Sequence, residues 1–354
     1  MPRIIITAAL IVLLLASCTP TNQGAANSQG DALPSTGEIP PSQPPGLNRG
    51  LTGRLVLIQY HPEGNRLLEL NLTSGQVQEL FKAPNRSWLS EAVVSPAGDQ
   101  ILLTYAAPPP DNTPQFGFTD FYLLTYRGVR TPRPFLLRTE AEESFFHPAW
   151  SPDGQSIYYT RLYRQNPDER VPRYQNDIEQ ITLNGDRRTV LPHALWPAVS
   201  PDGTTISYLT ADETGLGNDL YIASADGSSP TPVLKPGAAT PVDAHLFTAD
   251  GTSLVFSMVN PPEEAPASWM QRFFGVQTVR AHNVPSDWYS MPIQGGEPQR
   301  LTNLNDLSLS GDISPDGKYM AFISATGLYM MDLESGEVFQ VWADMMVGTV
   351  DWIP

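Results

Sequence analysis

From residue 51 onward the chain alternates apolar and polar positions in short runs, each closed by a polar or glycine-containing turn. A period of two marks β-strands with one face turned inward, and runs this short predict an all-β chain. The clearest run recurs five times: a Ser or Thr, a Pro-Asp-Gly-type turn, then an apolar strand, starting at Ser95, Ser151, Ser200, Thr248 and Ser314. Six residues after each start stand Ile101, Ile157, Ile206, Leu254 and Met320, and eight after stand Leu103, Tyr159, Tyr208, Phe256 and Phe322. Positions two apart share a strand face, so each copy reads as strand, tight turn, strand. Ser-Pro-Asp-Gly suits a type I turn, because Pro presets φ, Gly relieves the last position and the polar side chains bond the backbone.

A second strand pair follows each motif, as in Asp219–Ser224 with the turn at Ala225, and Asp287–Pro292 with the turn at Gln294. The repeat unit is therefore four antiparallel strands, A to D. Its steps of 56, 49, 48 and 66 residues between turn starts are those of propeller blades. The chain ends supply a sixth unit. Val350–Pro354 aligns with Pro148–Pro152 as an A strand alone, while residues 53–82 hold B, C and D without A. The expectation is a six-bladed β-propeller over 51–354, closed by pairing the C-terminal strand with the N-terminal blade, which removes exposed sheet edges.

The first fifty residues read differently. Arg3 precedes an uncharged apolar run from Ile4 to Leu15, too short to span a bilayer and suited to a secretory signal. The run closes Leu15-Ala16-Ser17-Cys18, which resembles a bacterial lipoprotein signal and implies lipidation of Cys18, the one cysteine of the chain. Residues 19–50 hold six prolines and few apolar side chains, and read as a disordered tether. The expectation is an extracytoplasmic protein held on the cell membrane, or on the outer membrane of a two-membrane cell.

Composition narrows the function. Net charge is −16, with 37 acids against 21 bases, which argues against nucleic acid as partner. A single Cys excludes a disulfide framework and any multi-Cys metal site. No G-x-S-x-G elbow and no H-E-x-x-H occur, and Gly215-Leu-Gly217 lacks the third glycine of a dinucleotide loop. No catalytic residue, cofactor or metal site is assigned. The turn aspartates and the aspartates before C strands (Asp120, Asp177, Asp219, Asp287) repeat from blade to blade, which favours architecture over catalysis.

The Ser-Pro-Asp-Gly turns with their apolar strands, and the stretches from Asp219 and Gly295, resemble TolB-like propeller repeats over nearly all of 51–354. Similar repeats occur in the propeller domains of prolyl-oligopeptidase-type enzymes. The resemblance implies fold, since such repeats host unrelated activities. No counterpart of TolB's separate N-terminal α/β domain or of the peptidases' hydrolase domain is read here.

Topology directs attention to one face. A–B and C–D turns emerge on one side of the ring, B–C and D–A connections on the other. The long segments, about 107–118, 163–176 and 260–284, are all B–C loops. Residues where A strands begin, Glu91, His147, Trp196 and His245, are expected to ring the channel mouth on that side, either holding a small polar ligand or peptide end, or merely plugging the channel. Trp269, Met270, Phe273 and Phe274 in the blade-five loop suit a short helix that either contacts a partner or folds back over the ring. Arg161, Arg164, Arg170 and Arg173 form a local cationic run, read either as solvated surface or as a site for an anionic glycan or carboxylate. Two functions follow: a binding or scaffold module for a protein or envelope component, or an extracytoplasmic carbohydrate-active or hydrolytic enzyme with a His/Glu/Arg site at the mouth.

Overall fold

The structure, a computed structural model, describes residues 50–108, 118–128, 130–211, 217–235, 242–259 and 285–353. Among them there are six four-stranded antiparallel sheets and no helix. Blade 1 joins the last strand to the first three: β24 (Met346–Trp352), β1 (Arg54–Gln59), β2 (Arg66–Asn71) and β3 (Val77–Lys82). Blade 2 is β4 (Trp88–Val94), β5 (Gln100–Ala106), β6 (Asp120–Thr125) and β7 (Arg133–Leu136). Blade 3 is β8 (Glu143–Trp150), β9 (Ser156–Arg164), β10 (Tyr174–Thr182) and β11 (Arg187–Pro192). Blade 4 is β12 (Ala194–Val199), β13 (Thr205–Ala211), β14 (Gly217–Ser224) and β15 (Thr231–Pro232). Blade 5 is β16 (Val242–Phe247), β17 (Ser253–Val259), β18 (Ser286–Pro292) and β19 (Gln299–Arg300). Blade 6 is β20 (Ser310–Ile313), β21 (Tyr319–Ser324), β22 (Gly327–Asp332) and β23 (Val338–Trp342).

The predicted closure is present. Leu55 lies opposite Trp352 and Leu57 opposite Val350, and Ile353 N donates to Arg54 O at 2.9 Å. The innermost strands contact one another in sequence, β24 to β4, β8, β12, β16, β20 and back to β24, around the axis.

The apolar core occupies six radial slots, one between each pair of neighbouring blades. Every B strand feeds two of them. In blade 3, Ile157 and Tyr159 pack toward blade 2 with Phe121 and Leu102, while Tyr158 between them packs toward blade 4 with Ile206 and Tyr208. This is why B strands such as β1, β5 and β9 are buried nearly throughout while outer strands such as β11 are largely exposed. Each fully buried Leu or Phe contributes about 1.5–3 kcal/mol relative to exposure.

The recurrent turn satisfies itself and its neighbour. Ser151 Oγ donates to Asp153 Oδ1 at 2.6 Å, and that oxygen also accepts from Gln155 N at 2.9 Å; Ser200–Asp202, Thr248–Asp250 and Ser314–Asp316 repeat the pattern. The turn glycine holds left-handed φ, +67° at Gly154 and +70° at Gly317. It also lies against the preceding blade's turn: a Cβ on Gly154 would meet Pro96, on Gly203 Pro152, on Gly251 Pro201 and on Gly317 Ala249. Pro and Gly of the motif thus interlock blade to blade, forming a collar on one face.

Candidate functional site

The opposite face carries the irregular backbone. Within the described residues, β4, β8, β12, β16 and β24 each shift register once against their B strand, a β-bulge that re-aims the side chains there. Seven described non-glycine residues have left-handed φ, and six of them, Arg86, His147, His193, Trp196, Asn305 and Ser308, lie in D–A connections or at the A-strand bulges. For bulky residues such as Trp196 (φ 59°) this is an uncommon, strained state that surrounding contacts must impose.

Those contacts are visible. Glu91 Oε2 accepts from His147 N at 2.9 Å, and Glu91 Oε1 lies 3.8 Å from His147 Nε2. The His147 ring stacks on Trp196 with centroids 3.9 Å apart and planes 17° from parallel. Thr160 Oγ1 accepts from Trp196 N at 2.8 Å, fixing the bulge from the neighbouring blade. Trp196 in turn lies 6.4 Å from the buried ring of His245. The four mouth residues read from the sequence therefore form one arc across blades 2 to 5. Thr349 extends it to blade 1, its hydroxyl accepting from Ala92 N and donating to Ala92 O, both at 2.9 Å. The Glu91 and His147 side chains are 12% and 13% exposed, so the arc offers edges to solvent rather than an open cleft. At its edges it offers the Glu91 carboxylate, the His147 imidazole and part of Trp196, suited to a hydrogen-bonding or cationic group.

The four arginines separate. β9 and β10 run longer than the sequence suggested, so the blade-three loop is 165–173 and Arg161 and Arg164 stand on a strand. Arg161 Nε donates to the fully buried Glu143 at 2.6 Å and Arg161 Nη1 to Glu179 at 3.2 Å. Arg187 also binds Glu179, at 2.7 Å, and Tyr159 donates to it at 2.6 Å. Burial alone would raise the Glu179 carboxyl; the Tyr159 and Arg187 hydrogen bonds outweigh it and hold the group below the usual carboxylate range. Arg164 is bound by Glu142 at 2.6 Å, which Tyr174 also contacts. Only Arg170 and Arg173 of the predicted run are exposed.

The C-strand aspartates serve the D–A connections. Asp120 accepts from Arg138 N at 2.7 Å and Asp177 from His193 N at 3.0 Å. Asp287, fully buried, accepts from Leu304 N at 2.6 Å, Thr302 Oγ1 at 2.8 Å and Arg300 Nη2 at 2.6 Å. These carboxylates organise backbone. Among the described residues no group of three or more His, Cys, Asp or Glu side chains is placed to hold a metal ion. Cys18 and the loop residues Trp269, Met270, Phe273 and Phe274 lie outside the described residues.

Sequence reading missed one group. Two positions before each turn Ser, on the innermost strands, Asp312 and Asp351 stand in a column otherwise made of Val93, Ala149, Ala198 and Leu246. Two acids in an apolar column are the signal that finds them.

No protein-family model matches the chain, and no curated protein matches it. Its fold recurs in solved structures. TolB from Acinetobacter baumannii superposes with a TM-score of 0.60 at 15% identity, over 85% of this chain and 67% of that one. A putative TolB from Agrobacterium tumefaciens gives 0.54 at 14% identity, over 86% and 100%. An oligogalacturonate lyase in complex with manganese gives 0.50 at 12% identity, over 82% and 74%. At these identities the similarity is one of fold: a TolB-like six-bladed propeller.

Proposed function

We propose that this protein is a membrane-anchored, extracytoplasmic binding module that captures a protein or envelope component on its long-loop face. The observation that carries the reading is the asymmetry of the two faces. Self-satisfied turns build one; the other collects six of the seven left-handed non-glycine residues among those described, and the His147–Trp196 stack. Strained backbone clustered on one surface is a pointer to function. Among the described residues, three of the four exposed large apolar side chains, Leu137, Val171 and Met345, stand on the same face. TolB-like relatives in fold accord with a binding role. The chain enters β1 beside Trp352, on the turn face.

The test is affinity capture from envelope extracts with the immobilised full chain. Trp196→Ala is expected to lower recovery of a captured component at least tenfold, while a turn-face change, Asp202→Ala with Asp250→Ala, leaves it intact. Equal recovery by both variants overturns the reading. An enzyme with a His/Glu/Arg site stands second, favoured by the carboxylate of Glu91 steering His147. A stoichiometric transition metal in the purified protein, lost on His147→Ala or His245→Ala, would put the enzyme first.

A further inference from the structure

Asp312 on β20 and Asp351 on β24 occupy equivalent places on adjacent innermost strands. Their carboxyl groups lie close enough to act on each other, and each also holds main chain. Asp312 Oδ2 accepts from Trp352 N at 2.8 Å and its Oδ1 from Ile313 N at 2.9 Å, while Trp352 Nε1 donates to the Asp312 carbonyl at 3.2 Å. Asp351 Oδ2 accepts from Val94 N of β4. The pair thereby laces together blades 6, 1 and 2 at β24, the strand that closes the ring.

Two carboxyl groups in contact can share a hydrogen bond only while at least one carries a proton; two carboxylates there would repel. Among the described residues no cation is found acting on the pair. Val56 lies opposite Asp351 on β1 and Ala321 opposite Asp312 on β21. The matching positions of β4 and β16 are Val93 and Leu246. The other groups acting on the pair are the N–H groups of Val94, Ile313 and Trp352.

We propose that Asp312 and Asp351 form a proton-sharing clasp on β24, so that pH sets how firmly the ring is closed. Desolvation, and then the neighbouring Asp312 charge, push the half-buried Asp351 carboxyl well above the ordinary range, and desolvation raises the half-buried Asp312 as well. In an opened clasp both groups return to about 3.9. Raised values in the closed state place the clasp's full stability below that value and remove it as pH rises through the raised Asp351 value. Within this window opening releases a proton, so the opening equilibrium grows up to about tenfold per pH unit. The loosening reaches the candidate site, because β24 also carries Thr349, which binds both the N–H and the carbonyl of Ala92.

Hydrogen exchange of the full chain across a pH series, corrected for intrinsic exchange rates, tests this. The Val350 and Trp352 amides are expected to lose protection by up to about tenfold per pH unit within the window, while β10 amides in blade 3 do not. Asp351→Asn supplies an amide N–H in place of the shared proton and is expected to flatten that slope. Asp312→Asn, whose amide oxygen still accepts from Trp352 N, serves as a second variant. A flat wild-type profile at β24 overturns the clasp, and so does a wild-type slope retained in both variants. Should neither variant fold, the wild-type profile decides alone.

Discussion

The imidazole of His147 lies on the indole of Trp196, 3.9 Å between centroids, and both residues hold left-handed backbone, φ 49° and 59°. They belong to neighbouring blades, so the stack is also a joint across a blade interface. Left-handed backbone costs an L-residue roughly 1–2 kcal/mol, and an aromatic pair returns about 0.5–1.5 kcal/mol beyond its burial. With two such residues the backbone cost exceeds what one stack returns, and the Glu91 carboxylate that accepts from His147 N and the Thr160 hydroxyl that accepts from Trp196 N supply part of the difference.

Replacing His147 separates those terms. His147→Ala removes the stack and keeps a Cβ at φ 49°, whereas His147→Gly removes both the stack and the strain. The glycine variant is expected to be about 1 kcal/mol more stable than the alanine variant, measured by denaturant unfolding with equal m-values. The reverse order would mean that the φ observed here carries no strain.

Gly348 tests the closure of the ring. Its φ is +73°, and a Cβ added there would stand 1.7 Å from Ser90 O of the adjacent blade. Gly75 has almost the same φ, +69°, in an outer turn with nothing within 4 Å. Gly75→Ala is expected to cost about 1 kcal/mol and Gly348→Ala at least 4 kcal/mol, in the range where backbones must move. Thermal unfolding of the two variants side by side reads the difference; similar losses would refute the close approach of β24 to β4.

Much of this was legible from residue spacing because a propeller repeats its instructions. The registers at Ile157 and Tyr159, and their counterparts, each report a slot between blades, and Trp352 announced the closing strand by aligning with Trp150. The neighbourhood of Glu91, His147, Trp196 and His245 was legible in the same alignment. The fate of Arg161 and Arg164 did not, because their carboxylate partners come from Glu142 and Glu143 at the start of β8 and Glu179 on the next strand, contacts that spacing along β9 does not encode. The left-handed state of Trp196 was hidden for a different reason: it is imposed by Thr160 and His147 from the adjacent blade, not favoured by the residue itself.

Asp287 is the buried carboxylate with most to lose. It accepts from Arg300, Thr302 and the Leu304 N–H, and no part of its side chain reaches solvent. Asp287→Ala strands these donors and is expected to cost about 3–5 kcal/mol. Asp287→Asn keeps an acceptor for the backbone and should cost clearly less. Urea unfolding of both variants checks the order, and equal losses would show that the Arg300 charge, rather than the backbone bonds, dominates.

The turn collar should fail first in acid. Asp153, Asp202, Asp250 and Asp316 are each held below the usual Asp range, first by the hydroxyl of Ser151, Ser200, Thr248 or Ser314 and then by a backbone N–H. A depressed carboxylate contributes stability that is present above its unfolded value, about 3.9, and is lost as pH falls through the folded value. The melting temperature is therefore expected to fall below about pH 4. Removing the hydroxyls with Ser200→Ala and Ser314→Ala returns Asp202 and Asp316 toward the ordinary range. That double variant should melt lower than wild type at pH 6 yet lose less on going to pH 2, because fewer protons are taken up on unfolding. Melting curves of both proteins across that interval make the comparison, and parallel acid slopes would mean that the serine hydroxyls do not set these carboxylates.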